Sequence, residues 1–239
     1  MPKENVTKKP AARPFDKLRG FIGALGIAFP IFVPLVAFAL SRQALEPSLS
    51  AYYYTSAGFM FIGAIWAMAF FLLSYQAYGT ADKILSALAW LFAVLITLFP
   101  TEPPPGYTCP PLSPTAPPCP SAFAQLIGTQ LTATLHYAFA ISLFVVLGIF
   151  SLIMFVRSDD KYINRPIKDT DPKREIRIRK RRRNVVHRIC AVLIFAMIVL
   201  CPILYAYHLS ITGWEALGLW AFGISWLTKG NLIPWLRQV

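Results

Sequence analysis

The sequence predicts an all-α fold, a six-helix bundle integral to a membrane with both termini on the cytoplasmic side. Three observations predict it. Apolar and aromatic residues make up 56% of the 239 residues and charged residues only 14%, with a mean hydropathy of +0.53, too apolar a balance for one soluble domain. Six apolar stretches approach the roughly 20 residues that a helix rising about 1.5 Å per residue needs to cross hydrocarbon about 30 Å thick. The basic residues alternate from one connection to the next, as the positive-inside rule expects.

A basic tail, residues 1–17, holds Lys3, Lys8, Lys9, Arg13 and Lys17 and is expected in the cytoplasm. The single membrane domain then spans residues 18–230. Its first stretch, Leu18 to Leu40, carries Gly20, Gly23 and Gly26, then Pro30 and Pro34. Its inner half is expected to approach a neighbour closely and its outer half to kink. Ala37-Phe38-Ala39 resembles a signal-peptide processing site, but the apolar run before it is about twice the usual length, so the segment is expected to stay.

The second stretch, Ala57 to Tyr75, and the third, Ile84 to Phe99, are joined by an inward connection marked by Lys83. Residues 101–130 contain no Lys or Arg, and ten prolines fall between Pro100 and Pro120. This predicts an outward loop of extended backbone. Cys109 and Cys119 lie in it and are expected to form a disulfide in an oxidising compartment.

The fourth stretch runs from Tyr137 to Val156. The loop after it, residues 157–188, holds thirteen Lys or Arg against five acids. Its densest part supplies candidate contacts to anionic lipid headgroups: Arg177, Arg179, Lys180, Arg181, Arg182 and Arg183. Each basic side chain near such a surface contributes about 1 kcal/mol. The alternative is that the loop only fixes orientation. No aromatic platform accompanies the charges, so nucleic acid is not an expected partner.

The fifth stretch, Ile189 to Tyr207, contains Cys190 and Cys201, separated by about 16 Å along one helix and therefore expected to pack rather than pair. The sixth runs from Trp214 to Leu227, and residues 231–239 form a cytoplasmic tail. A bacterial-type inner membrane is the expected location.

Depth measured from the cytoplasmic charges gives the candidate site. His136 lies about twenty residues from Arg157 and His208 twenty from Arg188, so both are expected near the outer boundary. Glu102 follows the third stretch, and Ser48, Ser50, Tyr52 and Tyr53 crowd the entrance to the second. Glu215 is only fourteen residues from Lys229, so either it dips into the membrane or, with Lys229 snorkelling or the helix shifted by a turn, it is a wet residue at a helix N-terminus that favours the dipole. A carboxylate inside the membrane faces the bundle interior, finds a partner or stays protonated.

Each of these residues has a plainer reading. The tyrosines suit an aromatic belt, His136 a helix cap or an interhelical hydrogen bond, and His187 a contact with headgroups. His136, His208 and Glu215 meet the minimum donor types for zinc, but no metal-ligand spacing joins them, and no cofactor is expected. There is no phosphate-binding loop, Gly-x-Ser-x-Gly elbow or Cys-x-x-Cys, which disfavours ATP hydrolysis and serine-elbow esterase chemistry.

Several segments resemble a group of uncharacterised bacterial six-helix membrane proteins. They are Ser48-Leu49-Ser50-Ala51-Tyr52-Tyr53-Tyr54-Thr55, Pro100-Thr101-Glu102, His136-Tyr137, and Trp214-Glu215-Ala216-Leu217-Gly218-Leu219-Trp220-Ala221-Phe222-Gly223. The chain is distantly similar to the damage-regulated autophagy modulator group. A looser likeness to membrane hydrolases of the alkaline ceramidase type lacks their paired histidines on a late helix. The resemblance implies a six-helix bundle and no activity.

The function expected from the residues is binding of a lipid or small amphiphile in an outward-facing polar pocket formed by Ser48, Ser50, Tyr52, Tyr53, Glu102, His136 and Glu215, without catalysis. The alternatives are a proton-coupled transporter using Glu215, with the Pro30/Pro34 kink as its gate, and a metal-dependent hydrolase using His136, His208 and a glutamate.

Overall fold

The computed structural model describes residues 15–42, 44–75, 79–105, 121–157 and 174–236. The expected Cys109–Cys119 disulfide and residues 158–173 of the basic connection lie outside them. Among the described residues the chain is all-helical. The long helices are α1 (Phe15–Ser41), α2 (Gly58–Leu73) and α3 (Thr80–Leu98), then α5 (Thr129–Ile149), α6 (Arg174–Ala206) and α7 (Thr212–Lys229). A short α4 (Ala122–Ile127) and 3₁₀ turns at Ser50–Tyr54 and Pro234–Leu236 fill the connections. Each of the six apolar stretches overlaps one of the long helices. Four of these, α1, α3, α5 with its π-helical extension, and α6, are long and apolar enough to cross a membrane.

Helix boundaries follow local chemistry. Pro100 disfavours helical backbone at Phe99, so α3 stops there. Gly128 adopts φ +84° between α4 and α5, a left-handed angle that favours glycine, and the Ser121 hydroxyl caps α4 by accepting the Ala124 N–H at 3.2 Å.

Helix α1 contains Pro30 and Pro34 within its length. Two local expectations change. Residues 121–130, expected as loop, are mostly helical. The densest basic run is not loop either: from Arg174 onward it forms the first turns of α6, because Arg, Lys and Glu favour helix and no Gly or Pro intervenes before Pro202.

The helices close a ring in which α1 packs on α2, α2 on α3, α3 on α5, α5 on α6, α6 on α7, and α7 back on α1. The last contact depends on the glycines. A Cβ on Gly23 would lie 2.8 Å from the Gly223 carbonyl oxygen, and one on Gly223 would lie 2.7 Å from the Gly23 oxygen. The two backbones therefore meet directly, as the small residues of α1 predict. Large apolar side chains face outward, including Leu35 and Phe38 of α1 and Val192 and Val199 of α6. Such a surface suits a hydrocarbon surround and not water.

The two ends of the ring differ. At one end, where α1, α6 and α7 meet, Arg19 pairs with Asp16 at 2.8 Å and lies over the Tyr75 ring. Arg183 donates to the Thr228 carbonyl and to Asn231 Oδ1, each at 2.9 Å. His187 is fully buried there, its Nδ1 2.9 Å from Ser225 Oγ and its ring against Phe155. This replaces the headgroup contact expected of it, because its face of α6 turns toward α7. The other end carries the candidate site.

Candidate functional site

The site is built on a connection that the sequence does not mark as ordered. Residues 46–50, between α1 and α2, are tied to the α6–α7 turn. The Ile211 and Thr212 N–H groups donate to the Pro47 carbonyl at 2.8 and 3.2 Å, and the Thr212 hydroxyl donates to the Glu46 carbonyl. Glu215, in the first turn of α7, accepts the Leu49 N–H at 2.6 Å. These bonds fix the next residue, Ser50, at the start of its 3₁₀ turn.

His136 approaches Ser50 from α5. It is 2% exposed and sits two turns inside α5, because that helix starts at Thr129, before the expected boundary. Its Nδ1 lies 2.8 Å from the Phe99 carbonyl oxygen and 3.2 Å from that of Ile96. Both carbonyls belong to the end of α3, where helix carbonyls lack partners within the helix. His136 thus caps α3 and joins it to α5, combining the two plain roles anticipated for it. Carbonyls only accept hydrogen bonds, so the proton is assigned to Nδ1 and Nε2 keeps its lone pair. Ser50 Oγ lies 3.0 Å from Nε2 and donates to it.

A cavity of about 260 Å³ opens beside this pair, and its lining includes Ser48, Ser50, Thr101, His136, Tyr137, Cys201, Tyr205 and Glu215. A second, narrow cavity of about 90 Å³ shares Ser50, Ala140, Phe144 and Glu215 with the first. It continues along Phe61, Ile65, Met68 and Leu72 of α2. These four recur on one face of that helix over about 16 Å of its length. The larger cavity thus carries its few polar groups on a mostly apolar lining and adjoins a smaller apolar slot.

The expected pocket residues divide. Ser48, Ser50, His136 and Glu215 converge on the cavity. Tyr52 and Tyr53 do not: they are 1% and 7% exposed, Tyr52 accepting the Glu46 N–H at 3.2 Å and Tyr53 packing edge-on to Phe61. The 3₁₀ turn points both rings into the core, and neither lines the cavity.

Glu102 is exposed and reaches the cavity only through a chain of hydroxyls. Thr101 donates to Tyr137 at 3.2 Å, Tyr137 to Tyr205 at 3.4 Å, and Tyr205 to Glu102 at 3.1 Å. His208 is exposed in the α6–α7 turn and does not line either cavity. Among the described residues no three His, Cys, Asp or Glu side chains gather as a metal-binding set.

Thr101, Tyr137, Tyr205 and Cys201 are lining residues that the sequence reading did not place in the pocket. Thr101 and Tyr137 sit beside Glu102 and His136 in the quoted motifs, which is the only signal that pointed to them. Cys190 and Cys201 are buried and unpaired, as packing residues.

The six candidate headgroup residues also divide. Arg177 and Arg183 turn inward at 7% and 4% exposure, since α6 gives them the face that packs on α7 and the chain end. Lys180 donates to the Phe155 and Arg157 carbonyls at 3.1 and 3.2 Å. Arg179 and Arg181 are half-buried and Arg182 is exposed.

Compared with known proteins, the chain matches no family model, no curated protein and no solved structure.

Proposed function

We propose that this chain is a six-span protein of a bacterial-type inner membrane, with both termini cytoplasmic, that binds a lipid or small amphiphile in its outward-facing pocket. The observation that carries the reading is a pair of adjoining, mostly apolar cavities whose polar groups are few and gathered, with Ser50 and Glu215 lining both. Together the two cavities reach the lower end of the small-ligand range, about 300 Å³. Hydroxyls, imidazole and carboxylate suit a polar head, and each methylene entering the slot contributes about 0.8 kcal/mol. The basic cluster at the opposite end supports the orientation, and the exposed Arg182, with Arg179 and Arg181 beside it, is proposed to meet anionic headgroups.

The test is a binding isotherm in mild detergent with a fluorescent single-chain amphiphile. Glu215→Gln and His136→Ala are each expected to weaken binding about tenfold, the loss of one buried hydrogen-bonding group being worth about 1–3 kcal/mol. Affinities unchanged in both variants contradict the reading.

A further inference from the structure

Ser50 and His136 have the relative geometry of a nucleophile and its general base. The imidazole is held from behind by two backbone carbonyls, so the basic nitrogen is the one facing Ser50. In hydrolytic triads a carboxylate orients the base; here the end of α3 does so. Ser50 is itself fixed by the Glu215 bond to the neighbouring Leu49 N–H, and both members of the pair line the cavity. Nucleophile, base and orienting group thus stand within hydrogen-bonding distance in sequence, beside a space open to a ligand.

The slot places the substrate. A hydrocarbon chain lying along Phe61, Ile65, Met68 and Leu72 brings its polar end to Ser50, because Ser50 lines both cavities. The geometry points to Ser50 as an acyl-transfer nucleophile, with His136 as its general base, acting on the carboxylic ester of a long-chain amphiphile. This rests on the pocket being an amphiphile site.

In the first step Ser50 Oγ forms a bond to the ester carbonyl carbon while its proton passes to His136 Nε2. The tetrahedral adduct then expels the alcohol, which leaves with that proton, and the acyl group remains on Ser50. Water attacks the acyl-serine in the second step, giving its proton to His136. The carboxylic acid departs, and the proton returns to Ser50 Oγ. Ser48 lines the same cavity, and its Oγ accepts the Ala51 N–H at 3.1 Å. Its hydroxyl proton is assigned to the developing oxyanion as donor.

The experiment treats the full chain in mild detergent with a long-chain alkyl fluorophosphonate and follows intact mass and the modified peptide. In parallel it measures binding of an unreactive amphiphile of the same chain length. Wild type is expected to gain one adduct, on Ser50. Ser50→Ala is expected to gain none, while its binding of the unreactive amphiphile weakens by about tenfold at most, and His136→Gln to label at least a hundredfold more slowly. Wild type that binds the unreactive amphiphile but is not labelled overturns the nucleophile and leaves the binding site standing. Labelling that proceeds equally fast in His136→Gln, or at another residue, also overturns it. Absence of both binding and labelling overturns the pocket reading and this inference with it.

Discussion

Gly223→Val is expected to prevent the native bundle from forming. A Cβ at this position meets the Gly23 carbonyl oxygen at 2.7 Å and the Ile27 amide nitrogen at 3.0 Å, so the obstacle is backbone and no rotamer change relieves it. The helices must separate, which breaks the α1–α7 closure of the ring and the Trp220 Nε1–H bond to the Ile27 carbonyl at 3.1 Å. Overpacking of a close contact destabilises by about 1–3 kcal/mol. A branched side chain against an immovable backbone belongs at or above the top of that range. Thermal unfolding in detergent, read with size-exclusion elution, checks it: Gly223→Ala is expected to be measurably weakened and Gly223→Val to elute as aggregate. A monodisperse Gly223→Val protein with the wild-type transition would contradict the packing described.

The second large effect is expected at Arg183. Its guanidinium occupies the C-terminal end of α7, donating to the Thr228 carbonyl and Asn231 Oδ1 at 2.9 Å and to the Lys229 carbonyl at 3.4 Å. Positive charge there complements the negative end of the helix dipole. Arg183→Leu leaves buried acceptors without their donor, each such loss costing about 1–3 kcal/mol. The total expected destabilisation is about 3 kcal/mol. Arg183→Lys is expected to recover only part of it, because a single ammonium cannot reproduce the fork. Full stability in Arg183→Leu would mean that this cluster is not what locks α6 to α7.

Both effects bear on how much was legible beforehand. The helices announce themselves through apolar length, and the close approach of α1 through Gly20, Gly23 and Gly26, because burial and small size are local properties of sequence. The identity of α1's partner is not local, and Gly223 carried no mark that set it against Gly23. At the site, depth alone groups Ser48, Ser50, His136 and Glu215, which line one cavity, with Tyr52, Tyr53 and Glu102, which do not. Depth fixes height in a bundle, and it does not fix azimuth. The 3₁₀ turn at Ser50–Tyr54 sends Ser50 to the cavity and Tyr52 to the core two residues later. The same blindness assigned Arg177 and Arg183 to headgroups when α6 turns them inward.

The central claim is that the ring holds an amphiphile, and native mass spectrometry of the purified protein tests it most directly. Ala140 lines both cavities, so Ala140→Phe places a ring in the space they share. Wild type is expected to carry a co-purifying amphiphile that Ala140→Phe, eluting as a folded monodisperse protein, has lost. A wild-type protein without such a molecule, or an Ala140→Phe protein that retains it at the same occupancy, would contradict the account.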